Sequence, residues 1–203
     1  MNIALFGTSA DPPSVGHRAV VRWLAARFDR VAVWASDNPF KPDRTPLERR
    51  MEMLRLMVET LRSGRDGAPC HNVECCPELS HMRSLVSVQR AREHWPEARF
   101  SFAVGSDLVP QLPNWYRAAD LLHAADLVAI PRPGYPLDPE AIATLRQWGT
   151  VTIADVEGPA ISSSAYRATR NTDAIPEPVA AYIAEQNLYG TSRERAAQRA
   201  PDP

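Results

Sequence analysis

The sequence predicts an α/β fold built on a mostly parallel sheet, and three observations carry that prediction. Short apolar runs bounded by glycine or polar turns alternate with segments whose apolar residues recur at helical spacing. The short runs are apolar throughout instead of alternating, as strands covered by helices on both faces must be. At 203 residues the chain has the length of one domain, enough to bury about 70% of its unfolded surface.

The elements follow in order. Asn2 to Phe6 reads as a buried strand ending at Gly7, and His17 to Phe28 as a helix with Ala19, Val20, Val21, Trp23, Leu24 and Phe28 at helical spacing. Val31 to Ala35 is a second buried strand. Thr45-Pro46-Leu47-Glu48 has the form of a capping box with proline at the first helical position. The helix it opens carries Leu47, Met51, Leu54, Met57, Val58 and Leu61 on one stripe and stops near Gly64. A third strand lies within His71 to Cys76, a helix over Leu85 to Trp95, and a strand over Phe100 to Val104 ending at Gly105. Trp115 to His123 and Asp138 to Gln147 read as helices, Leu127 to Ile130 and Val151 to Ala154 as strands. Ser162 to Ala168 and Pro178 to Gln186 are two closing helices. The expectation is a Rossmann-like single domain over residues 1–190, with about six strands flanked by helices and a short C-terminal helical portion. Residues 191–203 are polar, arginine-bearing and proline-ended, and read as a disordered tail.

Composition narrows the function. With 23 Lys+Arg against 24 Asp+Glu the net charge is -1, which argues against a nucleic-acid partner, whose footprint would be basic. No apolar run approaches the ~20 residues of a membrane span, and no charged-then-apolar leader is read, so no membrane partner is expected. Cys70, Cys75 and Cys76 are an odd number crowded together, which is not a disulfide framework and points to a reducing cytoplasm. With His71 and His81 they fit no zinc-ligand spacing, so no protein metal site is expected. Of the 23 cations, 22 are arginine, a bias that genome composition explains; Lys41 is the sole lysine.

In an open parallel sheet, ligands bind where loops leave the carboxyl ends of strands. That directs attention to the segments after Phe6, Ala35, Val104 and Ala154. The first, Gly7 to His17, is neither a Walker A loop nor a dinucleotide fingerprint. It is a small-residue turn stiffened by Pro12 and Pro13, with Gly16-His17 entering a helix whose first amides favour an anion. The plainer reading is a capped helix start with an incidental histidine. The last, Ile161-Ser162-Ser163-Ser164-Ala165-Tyr166-Arg167, offers N-capping serines and an arginine fork one turn later that suits phosphate oxygens. Its plainer reading is a capped surface helix.

Together these segments resemble the T/H-x-G-H and I-S-S-T-x-x-R signatures of the nucleotidyltransferase superfamily, with Ser14 at the T/H position, Ala10 in place of a common aromatic and Ser164 in place of the threonine. Gly105-Ser106-Asp107 followed by Leu112-Pro113-Asn114-Trp115 resembles the G-x-D…W block of the bacterial nicotinate-nucleotide adenylyltransferase family. Pro131 to Tyr135 and Pro178 to Tyr189 are similar to that family's pattern as well, so the resemblance runs from Asn2 to about Tyr189.

The resemblance implies an enzyme of NAD biosynthesis that moves AMP from ATP to nicotinate mononucleotide, giving deamido-NAD and pyrophosphate, with Mg²⁺ carried on the ATP. It implies an ATP site made by Gly7, Thr8, Ser9, Ser14, Gly16 and His17 from the first loop. Gly105 and Asp107 would sit on the adenosine side, and Ser162, Ser163, Ser164 and Arg167 on the β and γ phosphates, His17 and Arg167 being the catalytic groups. The mononucleotide would take Lys41 on its phosphate, Trp115 against the pyridine ring and amides near Ser84 at the ring carboxylate. The segment Leu79 to Leu85 departs from the family's serine-tyrosine-threonine loop. Arginines together with His17 would form a local cationic pocket in a chain of nearly zero net charge. Three alternatives stay open: a nicotinamide mononucleotide acceptor, a pantetheine-phosphate acceptor, and a non-catalytic nucleotide-binding module. The sequence leaves self-association into a homo-oligomer open.

Overall fold

The computed structural model describes residues 1–37, 44–156 and 163–190. Lys41, Ile161, Ser162 and the segment 191–203 lie outside the described residues. Six strands, β1 (Asn2–Thr8), β2 (Arg30–Ala35), β3 (Val73–Cys75), β4 (Arg99–Gly105), β5 (Asp126–Ile130) and β6 (Val151–Ile153), form one sheet in the order β3-β2-β1-β4-β5-β6. Every pairing between these strands is parallel. The described helices are α1 (Val15–Ala25), α2 (Leu47–Ser63), α3 (Ser84–His94), α4 (Ala118–Ala124), α5 (Pro139–Leu145), α6 (Ser163–Thr169) and α7 (Glu177–Glu185). This is the Rossmann-like arrangement the alternating pattern predicts.

Successive residues of a strand face opposite sides, and the strands feed two separate cores. Ala4 and Phe6 of β1 join Val31, Val33, Met57, Leu61 and Val179 on the face covered by α1, α2, α6 and α7. Ile3 and Leu5 join Trp34, Phe102, Val88 and Leu121 on the face covered by α3, α4 and α5. Burial on both faces is why these runs carry no polar alternation.

Three details differ from the sequence expectation. β1 continues through Gly7 to Thr8, because Gly7 is a close-contact position and not a stop: a Cβ there would lie 2.8 Å from the Trp34 indole. The capping box at Thr45 does not form. Pro46 is the N-cap of α2 and makes no side-chain cap, while the Thr45 carbonyl accepts from Arg50 Nε at 2.8 Å. A capping box forms instead at Ser14, which moves the start of α1 forward to Val15. Trp115 is not helical: Val109–Asn114 is a 3₁₀ turn holding Pro110 and Pro113, Trp115 is extended, and α4 begins only at Ala118. Arg117, directly before α4, has φ 51° and ψ 49°, a left-handed conformation that a right-handed helix cannot run through, so the helix starts after it.

Arg50 sits on α2 among apolar neighbours and is only 3% exposed. Its guanidinium donates to the carbonyls of Thr45, Ser9 (3.0 Å) and Ser36 (2.9 Å), tying the exits of β1 and β2 to the start of α2. Replacing Arg50 with methionine keeps the bulk and leaves three carbonyls without donors, at about 1–3 kcal/mol for each that stays dry. Denaturant unfolding of Arg50→Met is therefore expected to show a loss of about 2–4 kcal/mol. An unchanged midpoint would mean the three loops hold together without it.

Candidate active site

β1 and β4 are neighbours at the centre of the sheet, and the chain leaves them in opposite directions, toward β2 and toward β5. A crevice opens at that switch point. It is a cavity of about 1320 Å³, above the 300–1,000 Å³ of a site for one small ligand. Gly7, Thr8, Ser9, Ser14, Gly16 and His17 line it from the β1 exit, Gly105 and Asp107 from the β4 exit, and Ser163, Ser164 and Arg167 from α6. Ser84 and Trp115 complete the opposite wall. The structure thus brings together every described residue that the sequence singled out.

The β1 exit is held from two sides. Arg167 Nη1 donates to the Asp11 carbonyl and its Nη2 to Ser164 Oγ at 3.2 Å, while Ser163 Oγ donates to the Pro12 carbonyl at 2.8 Å. The Tyr189 hydroxyl donates to Asp11 Oδ1 at 2.6 Å. Chain order explains none of this; the contacts arise because β6 leads α6 back over the first loop.

His17 is fixed by its own helix start. Its Nδ1 accepts from the Ser14 backbone N–H at 3.0 Å and lies 2.8 Å from Ser14 Oγ. Because Nδ1 accepts, we assign the ring proton to Nε2. Burial first, and the Arg132 guanidinium second, push the His17 pKa down to about 4 against a weaker opposing pull from Asp107. The imidazole is therefore a neutral N–H donor at pH 7. This corrects the expectation of a cationic pocket that includes His17. Ser14 is fully buried, and its hydroxyl is turned on the imidazole.

Two buried side-chain atoms on this wall lack a partner among the described residues: Arg44 Nη1 and Asp107 Oδ1. Arg44 Nη2 donates to Ser9 Oγ at 2.7 Å, and Asp107 Oδ2 pairs with Arg132 Nη1 at 2.7 Å. A buried donor or acceptor left unpaired costs about 1–3 kcal/mol, and by their chemistry Arg44 suits an acceptor and Asp107 a hydroxyl or amino donor. Gly105 lets the paired Asp107 and Arg132 side chains lie close to the backbone, since a Cβ there would collide with Asp107 Oδ1 and come within 2.9 Å of Arg132 Cδ. Ser106 anchors the two loops by donating to the Tyr135 carbonyl at 2.7 Å and accepting from Arg132 N–H at 3.0 Å.

The cavity can therefore take an anion at the Ser9, Arg44 and Arg167 end and a polyol near Asp107. It also offers a flat ligand the half-buried Trp115. Among the described residues no cluster of three or more His, Cys, Asp or Glu could hold a metal ion, and no helix is long and apolar enough to cross a membrane.

The cytidylyltransferase-like family profile matches residues 5–169. A relative from Synechocystis sp., named "Probable nicotinate-nucleotide adenylyltransferase", is 45% identical over 203 aligned positions, covering 93% of this chain and 99% of the relative. The chain belongs to the nicotinate-nucleotide adenylyltransferase family. A relative of the same name from Anaeromyxobacter dehalogenans is 31% identical, covering 92% of this chain and 96% of its own. The nicotinic acid mononucleotide adenylyltransferase of Plasmodium falciparum, solved in complex with NaAD, superposes with a TM-score of 0.77 at 18% identity, over 93% of this chain and 97% of that one. At that identity the likeness speaks for the shared fold.

Sequence reasoning for a nicotinate-nucleotide adenylyltransferase missed Arg44, Arg132 and the pair of Arg83 and Tyr116, all of which line the cavity. Arg44 stands three positions after Lys41, and nothing in the local sequence ranks one above the other. Arg132 was visible in the Pro131 to Tyr135 segment, but its pairing with Asp107 shows only in three dimensions. The cysteines are free thiols; burial raises the Cys75 pKa to about 11, so it is not a reactive thiolate.

Proposed function

We propose that the chain transfers the adenylyl group of ATP to nicotinate mononucleotide, forming deamido-NAD and pyrophosphate. The observation that carries this reading is one cavity holding both Arg44, whose Nη1 has no partner among the described residues, and Asp107, whose Oδ1 has none among them either. A nucleotide has complementary groups for both: phosphate oxygens and ribose hydroxyls.

In the reaction an oxygen of the mononucleotide phosphate attacks the α-phosphorus of ATP. A new P–O bond forms as the bond from the α-phosphorus to the bridging oxygen breaks, and pyrophosphate leaves with the electron pair. A phosphate is already an adequate nucleophile, so the protein's part is alignment and charge stabilisation. Neutral His17 donates from Nε2 to the α-phosphate oxygen where charge builds up. Ser14 is a positioning residue that holds the ring in that tautomer. Arg167, with Ser162, Ser163 and Ser164, holds the β and γ groups, and Mg²⁺ enters with them as part of the substrate. Gly7, Thr8, Ser9 and Gly16 supply close backbone approach to the phosphates. Asp107 accepts the ribose hydroxyls beside Gly105. Trp115 stacks on the pyridine ring, and amides at Ser84 face its substituent. Arg44, and Lys41 from the same loop, meet the remaining phosphate. Residues 1–190 act as one catalytic domain, and free thiols at Cys70, Cys75 and Cys76 fit a cytoplasmic setting.

Pyrophosphate release with Mg-ATP and equal concentrations of three acceptors tests the reading. Nicotinate mononucleotide is expected to give the highest turnover, above nicotinamide mononucleotide and pantetheine phosphate, with one dinucleotide formed per pyrophosphate. ATP binding without pyrophosphate release would make the chain a nucleotide-binding module instead. Within the same assay, Lys41→Ala is expected to raise the KM for the mononucleotide far more than the KM for ATP; equal effects would return Lys41 to the background.

A further inference from the structure

Arg83 is an exposed arginine on the wall of the cavity. Its guanidinium lies 3.9 Å from the centroid of the Tyr116 ring, close enough for a cation–π stack. Arg83 and Tyr116 both line the cavity, and Tyr116 follows Trp115 directly in the chain. The backbone that launches the side chain is pinned on both sides. Arg83 N–H donates to His81 Nδ1 at 3.0 Å, and its carbonyl accepts from Val86 and Ser87 N–H at 3.0 and 3.3 Å as the start of α3.

A guanidinium stacked by its face keeps its N–H edges free in the plane. Among the described residues no carboxylate pairs with Arg83. Of the three acids that line the cavity, Asp107 is engaged by Arg132 and Asp11 by Tyr189, while Asp37 stands at the exit of β2. The wall beside Trp115 therefore presents an immobilised, uncompensated cation with a free fork. That fork fits a carboxylate, which offers two acceptor oxygens and a full charge. It does not fit a carboxamide, which offers one oxygen and sets an NH₂ donor against the guanidinium N–H.

Resting on the adenylyl-transfer reading, we propose that Arg83, held against Tyr116, grips the carboxylate of the pyridine ring and sets the preference for the acid acceptor over the amide. Arg83 is then a specificity residue. It reaches the substituent of the ring that Trp115 stacks on, away from the reacting phosphates.

The test is steady-state kinetics of Arg83→Gln with nicotinate and nicotinamide mononucleotides at saturating Mg-ATP. The acid is expected to lose about 10- to 100-fold in kcat/KM, the worth of a charge-assisted hydrogen-bonded pair, mainly through KM. The amide is expected to stay within about threefold and the ATP KM to be unchanged, so the selectivity collapses. Arg83→Lys is expected to recover part of the preference, because it restores charge without the fork, and Tyr116→Leu to lose part of it by freeing the guanidinium. An equal fall on both acceptors, or a preference that survives Arg83→Gln, overturns the assignment. Wild-type turnover separates the two levels: an enzyme that uses neither pyridine mononucleotide refutes the adenylyl-transfer reading and this inference together. One that prefers the acid irrespective of residue 83 refutes the inference alone.

Discussion

Replacing His17 with alanine is expected to lower kcat for adenylyl transfer by about 100- to 1,000-fold, with the KM values of both substrates moving less than tenfold. That is the range seen when one preorganised donor to a developing oxyanion is removed. The reason for placing the loss in kcat is geometric. The ring is held through Nδ1 by the Ser14 backbone before any substrate arrives, so Nε2–H is an aimed donor that needs no reorganisation. Its charge state sharpens the expectation. With the pKa pushed down to about 4 by burial and Arg132, the imidazole stays neutral across the whole working range. The kcat/KM profile, which reports the free enzyme, is expected to show no His17 break near 6.5. An inflection there that disappears in His17→Ala would contradict the neutral-donor role. The same shift has a signed effect on folding. Between about pH 6.5 and 4 the unfolded chain binds a proton at this histidine that the folded chain does not. Stability is therefore unaffected by His17 above that window and falls as pH drops through it.

Replacing Arg167 with alanine is expected to lower kcat/KM for ATP by about 100-fold, the equivalent of about 2.7 kcal/mol, near what one strong charge-assisted contact supplies. Two effects combine in that number. The fork that would meet the β and γ phosphates is lost, and so is the bond to the Asp11 carbonyl that docks α6 onto the first loop. Arg167→Lys is expected to recover only a small part, because a point charge cannot bond a phosphate, the Asp11 carbonyl and Ser164 Oγ from one rigid plane. Initial-rate kinetics with ATP varied decide it, and a loss within threefold would remove Arg167 from the phosphate site.

The sheet was legible because its strands are buried on both faces, which turns Ile3 to Phe6 or Val31 to Ala35 into unbroken apolar runs that few other environments select. The strand-exit rule then located the cavity, since Gly7 and Gly105 stand in the last two residues of β1 and β4 and the serines before Arg167 follow β6 in the chain. What failed to show were features created by distant segments meeting. Arg50 looks like any arginine on an exposed helix face until the Ser9 and Ser36 carbonyls are brought to it. The neutrality of His17 comes from burial first and from Arg132 second, and the other half of the sheet delivers Arg132. Trp115 carried a helical pattern in its neighbours, but the left-handed backbone at Arg117 puts the helix start at Ala118. Arg83 lay in the segment that departs from the family's loop, where the resemblance had least to say.

In the proposed reaction one cavity aligns two anions for direct transfer, with no covalent stage on the protein. Running the reaction with ATP made chiral at the α-phosphorus by sulfur substitution tests that claim most directly. A single in-line displacement predicts inversion of configuration in the dinucleotide product. Retention would require two displacements through an adenylylated side chain, and would contradict the roles assigned here to His17 and Arg167.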